Sequence, residues 1–363
     1  MGKQVSSEIL QMITDFSNAK GPSGFEDEVI LAAKKHLGSG FDTEEDCLRN
    51  FYMHRKANTG NKPVFLLDAH SDEVGFMVHS IRANGTLRFV ALGGWNISSL
   101  PSTKVLVRNA EGRYIPGIIA AKPVHFMSAS EKASAGPADI STLSIDIGAV
   151  DAQEAKEVFK IRIGEPVVAD VSLEYDAEHD LLFGKAFDCR IGCAALLETL
   201  HRLKDEALDV DVTGVLSSQE EVGERGMKVA VHHTKPDIAI CFEGCPADDT
   251  FTEAYAVQTA FKKGPMLRFM DKSIICTPRY QRYALDLAER LGIPVQSSVR
   301  EGGGNNGAIL HTSFDGIPTI VIGVPVRYIH TVHGITSCYD FEATVRLATE
   351  LVRSMNQDII DSF

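Results

Sequence analysis

The chemistry in this chain is concentrated in acidic and histidine residues that follow apolar runs. In Val215-Leu216-Ser217-Ser218-Gln219-Glu220-Glu221-Val222-Gly223, two adjacent carboxylates stand behind a β-branched stretch and ahead of a glycine. At a strand end, neighbouring side chains point to opposite faces. One glutamate can then bind a metal while the other moves a proton. A solvated acidic turn would look the same in isolation. The run Pro63-Val64-Phe65-Leu66-Leu67-Asp68-Ala69-His70 delivers a histidine, with Asp72 two residues on. A carboxylate so placed can hold the second ring N–H of a metal-binding imidazole. Asp188 stands where a helix should begin, Glu243 ends the apolar run over 236–243, and His330 comes a few residues after the run over 318–325.

This donor set suits zinc, cobalt or manganese. It exceeds the needs of one tetrahedral site and suits two divalent ions that share a carboxylate. Two such ions activate a bridging water and clamp the transition state of a hydrolysis. One carboxylate must stay unligated to carry the water's proton to the leaving group. Glu220, beside the ligand candidate Glu221, is the choice for that role.

The bulk properties agree with an enzyme. A chain of 363 residues is long enough for two domains, or for one with an insertion. Its net charge of −13 argues against nucleic acid and anionic membranes as partners. Residues 1–18 are polar and amphipathic, without the apolar core of a signal peptide, and no apolar run is long enough to span a bilayer. Seven scattered cysteines without framework spacing point to reduced thiols in the cytoplasm.

The positioning elements follow from periodicity. Apolar residues at helical spacing predict helices over 6–16, 26–37, 191–203, 227–233, 278–291 and 340–354, with a short one over 151–158. Continuous apolar runs over 63–70, 211–216, 236–243 and 318–325, with a shorter run over 295–299, predict strands, most of them buried and parallel. Strands alternating with helices indicate an α/β sheet, in which sites form at the carboxyl ends of strands. Between about 74 and 166 the pattern changes to short strands punctuated by glycine, as in a small β-barrel or sandwich. We read domain limits of 1–73 plus 167–363 for the α/β part and 74–166 for the insertion. Trp95 and Phe89 are expected to pack the β part, and the stretch 128–138, rich in Ser, Ala and Gly, to form an exposed loop.

The ordered set His70-x-Asp72, Asp188, Glu220-Glu221, Glu243 and His330 resembles the tetrahedral, or glutamyl/deblocking, aminopeptidase family of dizinc peptidases. Supporting segments are Gly21-Pro22-Ser23-Gly24-Phe25-Glu26, Asp68-Ala69-His70-Ser71-Asp72-Glu73-Val74-Gly75-Phe76, Ile119-Ala120-Ala121-Lys122-Pro123-Val124-His125, Gly302-Gly303-Gly304 and Arg327-Tyr328-Ile329-His330. The resemblance spans nearly the whole chain. It implies a three-layer α/β/α zinc-peptidase-like domain interrupted by a β-rich insertion that helps dimers form. It implies His70, Asp188 and Glu243 on one ion, and Asp188, Glu221 and His330 on the other, with Asp188 bridging. Glu220 would be general base and acid, and Asp72 would orient His70. It also implies short peptides as substrates and a dimer-based homo-oligomer. Family members commonly assemble into a hollow tetrahedral dodecamer that trims peptides. His125 would lie in the inserted domain, either as a surface residue or reaching a neighbouring subunit's site.

The chain departs from the family pattern at four places. Glu243 stands where Asp is usual, Cys189 where Asp or Asn is usual, and Asn305-Asn306 replaces Thr-Asp. Cys241 and Cys245 flank Glu243. With Cys189 and Cys193, these thiols offer an alternative metal site, although free cysteine is most often a small buried hydrophobe. His232, His233 and His333 read as structural or solvent-facing. A dimetal amidohydrolase or deacylase acting on a small metabolite would need the same donor set. A catalytically silent relative should have lost a ligand or the base, and none is lost. A glycosidase needs two carboxylates flanking a sugar and no metal, whereas these acids are bundled with histidines. Substrate preference would be set by loops such as 97–103 and 305–311.

Overall fold

The computed structural model describes residues 5–129 and 139–363, and so leaves most of the glycine-, serine- and alanine-rich stretch over 128–138 outside the described residues. The chain divides into two compact units. Of the described residues, the first holds 5–73, 172–329 and 333–363, and the second holds 74–129 and 139–171 with 330–332.

The first unit opens with helices α1 (Ser7–Asn18) and α2 (Asp27–Leu37), then strands β1 (Phe41–Glu45), β2 (Phe51–Arg55) and β3 (Val64–His70). Ser6 caps α1 by accepting the Ile9 N–H at 3.2 Å. Acids open α2 and Lys34, Lys35 and His36 close it, which complements the helix dipole.

The second unit is a closed barrel of β4 (Gly75–Ile81), β5 (Leu87–Leu92), β6 (Lys104–Arg108), β7 (Tyr114–Ile119), β8 (Ile145–Asp146) and β9 (Pro166–Ala169), in the order β4-β5-β8-β7-β6-β9. The closing strand β9 pairs with both β4 and β6 and runs on to Ala169. Phe76 fills the barrel core, stacked on Trp95 with ring centroids 4.8 Å apart and edge-on to Phe89 at 5.0 Å. Short helix α3 (Ala152–Glu157) packs Ala155 against this core.

The first unit then resumes. Its later elements are β10 (Glu174–Asp176), β11 (Leu181–Gly184), α4 (Phe187–Leu203), β12 (Asp211–Ser217), α5 (Arg225–Thr234), β13 (Ile238–Pro246), β14 (Met266–Met270), α6 (Pro278–Leu291), β15 (Gln296–Val299), α7 (Gly307–Leu310), β16 (Thr319–Val326), β17 (Gly334–Thr336), α8 (Cys338–Ser354) and α9 (Gln357–Asp361). Eight strands form one mixed sheet in the order β1-β2-β12-β3-β13-β16-β14-β15. The central strands β12, β3, β13 and β16 run parallel and are almost wholly buried. Alternation divides each of them between two cores. Phe65, Leu67 and Ala69 of β3 face the core that α1, α2, α4, α6 and α8 cover, while Leu66 faces the core built with Met227, Ala230 and Val231 of α5. The result is a helix-sheet-helix arrangement of three layers. The edge pairings β2 with β12 and β14 with β16 are antiparallel, so the sheet is not uniformly parallel.

A buried cation fixes the layer beneath the sheet's carboxyl rim. Arg190, on α4, is 1% exposed. Its guanidinium donates to the carbonyls of Ser71, Phe16, Ala19 and Gly21 at 2.8–3.1 Å and lies 3.3 Å from Glu73. Lys185 donates to both Glu73 carboxylate oxygens at 2.7 Å. Burial brings the Lys185 ammonium down to about 8 against the pull of Glu73. These bonds join α1, the turn after it, the segment after His70 and the start of α4. Arg190→Met strands several buried carbonyls and should cost about 3–5 kcal/mol of stability. Urea unfolding followed by circular dichroism reads this directly, and a loss below about 1 kcal/mol would contradict the role.

Candidate metal centre

Strand register brings the first donors together. Ser217 of β12 pairs with His70 of β3, and Cys241 of β13 pairs with Asp68. Glu243 lies two residues past Cys241, as His70 lies two past Asp68, so both stand at one height and on one face. His70 Nε2 is accordingly 3.7 Å from Glu243 Oε2. Glu243 is not at its strand's end, as the sequence suggested. Pairing with β16 carries β13 on to Pro246.

Asp188 reaches the same place from α4. It has non-helical backbone angles inside the first turn, with φ −83° and ψ 105°. Its Oδ1 is 3.1 Å from His70 Nε2. The approach of α4 to β13 requires Gly244: a Cβ there would stand 2.2 Å from the Phe187 carbonyl oxygen and 2.8 Å from the Asp188 nitrogen.

The glutamate pair arrives differently from the sequence expectation. Strand β12 stops at Ser217, and Glu220 and Glu221 lie in the tight turn before α5. Gln219 turns the chain with a φ of +54°. The pair therefore does not straddle a strand, and alternation does not divide its duties. The Asp72 carboxylate does the positioning. It accepts the Glu220 N–H at 2.9 Å, the Glu221 N–H at 3.2 Å and the Ser23 hydroxyl at 2.6 Å. It also faces His70 Nδ1 at 3.4 Å, although the nearer acceptor is Asp72's own backbone carbonyl at 3.2 Å.

The first unit by itself thus gathers His70, Asp188, Glu220, Glu221 and Glu243. Ligand atoms of His70, Glu220 and Glu221 all lie within 4.8 Å of one another, as do those of Asp188 and Glu221. His330 sits at the tip of a loop closed by reciprocal backbone bonds between Arg327 and Ile335, at 2.9 and 3.1 Å. Its residues 330–332 group with the barrel unit, where the His330 carbonyl accepts the Asn96 N–H at 3.1 Å. His125 is exposed on the turn Val124–Phe126. His232, His233 and His333 are also exposed.

Electrostatics shows what the first-unit cluster wants. Burial pushes the Glu220 carboxyl well up, His70 opposes, and Glu221, Asp72 and Asp188 push the same way as burial. Burial does the same to Glu243, with Asp188, Glu220 and Asp68 adding to it against His70. For His70, burial disfavours the charged ring, yet the negative groups around it raise its pKa well above the ordinary value. Several carboxyls this close cannot all ionise without a compensating cation. Their oxygens and an imidazole are donors that a borderline divalent ion accepts. The residues fit the metals that the sequence implies.

The structure adds residues that sequence reasoning left without a role. Glu26 Oε1 accepts the Gly24 N–H at 2.8 Å and the Gln219 N–H at 3.2 Å, bracing the turn that carries the glutamates. Burial, then the Asp72 charge, raises Glu26 to about 7. Asn306 donates to Asp68 at 2.8 Å and to Ser217 at 2.7 Å, so it ties the two strands beneath His70. Asn305 donates to Asp271 at 2.8 Å. Ser23 and Glu26 lay inside the opening turn motif, but nothing in their spacing announced these partners. Lys185, Arg190 and Glu73 gave no such signal. Of the thiols, only Cys189 joins a donor group among the described residues. Cys193 points to the His70 carbonyl at 3.1 Å, and Cys241 and Cys245 are buried in the packing.

Residues 50–347 match the family described as M42 glutamyl aminopeptidase. The chain is 32% identical to glutamyl aminopeptidase of Lactococcus lactis subsp. cremoris over 352 residues, which is 97% of this chain and 98% of that protein. The chain belongs to the M42 family. Among solved structures, the TET aminopeptidase of the marine sediment archaeon Thaumarchaeota archaeon SCGC AB-539-E09 aligns with a TM-score of 0.92 at 33% identity, covering 98% of this chain and 99% of that one. The TET1 peptidase of Pyrococcus horikoshii, which can assemble into a tetrahedron or a large octahedral shell, aligns with a TM-score of 0.84 at 25% identity, covering 96% and 100%. This M42 chain therefore has the family's mixed α/β fold with a separate sheet-rich unit.

Because Asp72 holds both glutamate amides and faces the ring of His70, its loss should loosen the whole cluster. Asp72→Ala is expected to lower activity about 10–100-fold. The far-ultraviolet circular dichroism spectrum should stay unchanged. Near wild-type turnover in a folded Asp72→Ala protein would remove its positioning role.

Proposed function

We propose that this M42 chain is a co-catalytic dinuclear metallo-aminopeptidase that removes N-terminal residues from short peptides. The observation that carries the reading is the cluster of buried His70 with half-buried Asp188, Glu220, Glu221 and Glu243, in a chain of an aminopeptidase family. His70, Asp188 and Glu243 would hold one ion. Asp188, Glu221 and His330 would hold the other, with Asp188 shared. Strand β16 runs parallel beside β13 and leaves the sheet on the rim that carries Glu243. His330 follows Val326 by four residues, a reach of at most about 14 Å. Two bound ions, zinc on this donor set, would acidify a water and polarise the scissile carbonyl.

Glu220 is the proton carrier of the scheme. Its carboxylate would take a proton from the attacking water and return it to the leaving amine. Asp72 fixes its backbone, and Glu26 fixes the residue before it. No other member of the cluster is both adjacent to a ligand and left without a metal in the scheme.

The polypeptide would act in the cytoplasm as a dimer-based homo-oligomer. Seven free cysteines suit a reducing compartment. Among the described residues no helix is long and apolar enough to cross a membrane. The barrel unit exposes Ile118, Val124, Phe126, Val150, Val158 and Ile163, apolar surface of the kind that interfaces cover.

Two measurements examine the residues and the activity. Glu220→Gln should abolish turnover with two ions still bound, while His330→Ala should lower bound metal towards one per chain. Mass spectrometry of metal content beside single-turnover assays decides, and substantial activity in Glu220→Gln would exclude it as base. Hydrolysis of an aminoacyl-anilide panel should be lost on chelation and restored by zinc, cobalt or manganese. A silent panel from fully loaded protein would overturn the peptide-substrate reading.

A further inference from the structure

The sequence-based ligand scheme gives Cys189 no part, but the structure places its sulfur among the donors. The Sγ, His70 and Glu243 each offer one ligand atom, and these lie within 4.8 Å of one another. Cys189 and His70 are buried, and Glu243 is half-buried. The His70–Glu243 separation of 3.7 Å is near that of two ligands on one tetrahedral ion, roughly 3.3–3.7 Å for bonds of about 2.0–2.3 Å.

The sulfur is held in place from two sides. It sits against Gly192, where a Cβ would come within 2.4 Å of it. Its S–H donates to the Phe242 carbonyl at 3.1 Å, one residue before Glu243 on β13. The sulfur, carried by α4, thus lies beside the stretch of β13 that carries Glu243. Cys193, Cys241 and Cys245 belong to no donor group among the described residues.

We propose that Cys189 Sγ is a direct ligand of the ion held by His70 and Glu243. That makes this half of the centre a mixed imidazole, carboxylate and thiolate site that selects zinc or cobalt over manganese. The inference rests on the dinuclear reading above. Ion binding breaks the hydrogen bond from the S–H to the Phe242 carbonyl and releases the thiol proton to solvent, and the S⁻ so formed bonds to the cation with no change of oxidation state. Thiolate is a soft donor, and manganese prefers oxygen. A carboxylate in place of the sulfur would remove that discrimination.

The test uses the full-length protein reconstituted with cobalt(II) and, separately, with zinc. The cobalt protein should show a near-ultraviolet sulfur-to-cobalt charge-transfer band that is absent in Cys189→Ser and kept in Cys193→Ser. Zinc-edge X-ray absorption of the unaltered protein should show sulfur at about 2.3 Å, a readout that needs no variant to fold. Cys189→Ser should weaken zinc binding at this half at least about tenfold while leaving manganese binding nearly unchanged. Two cobalt ions bound without a sulfur band, or a band that survives in Cys189→Ser, would overturn the thiolate ligand and leave the dinuclear reading standing. Failure of the protein to bind cobalt or zinc at all would overturn both.

Discussion

Repulsion between clustered, half-buried acids is the constraint around which this protein is arranged. Asp188, Glu220, Glu221 and Glu243 meet at one rim of a sheet with His70 among them. Water is largely excluded there, so each negative charge raises the cost of the next. The arrangement persists only because other bonds oppose it. Asp72 accepts the backbone amides of both glutamates, and Arg190 and Lys185 anchor the segment after His70 through Glu73. A divalent cation bound there would offset the remaining repulsion.

The fold supplies this arrangement by ordinary means. Parallel strands β12, β3, β13 and β16 end on one side of the sheet. Alternation puts His70 and Glu243 on one face because their strands are in register. Helix α4 can approach β13 only because residue 244 has no side chain. The barrel interrupts the chain just after Glu73, so the segment that carries His70, Asp72 and Glu73 is also the way out of the first unit.

The departures from the family pattern take on physical meaning in this setting. Glu243 is one methylene longer than the Asp that the family resemblance leads one to expect, and Cys189 carries a sulfur where the resemblance leads one to expect Asp or Asn. Both changes fall at one end of the cluster, and the two side chains share His70 as neighbour. Asn306, the third departure, is not at the rim. It lies one layer below, where its amide bonds Asp68 and Ser217 and so joins β3 to β12. An amide there donates to a buried carboxyl, which a second carboxylate could do only by keeping a proton.

The sequence by itself determined the kinds of donor, their order along the chain and the class of fold, because each depends on composition and local period. Apolar runs 63–70 and 236–243 announced buried strands, and His70 and Glu243 were legible as their cargo. The change of texture near residue 74 announced a separate β-rich segment. Tertiary structure alone decided how the donors meet. Glu220 and Glu221 left the strand for a turn because Asp72, almost 150 residues earlier, captures their amides. Arg190 stood just ahead of the helix read over 191–203, with no role, until α1, the Gly21 turn and Ser71 closed around it. Cys189 looked like a small hydrophobe until β13 set its sulfur beside Glu243. Spacing measures distance along the chain, whereas convergence depends on register and on long-range hydrogen bonds, and those are fixed only when the whole sheet has formed.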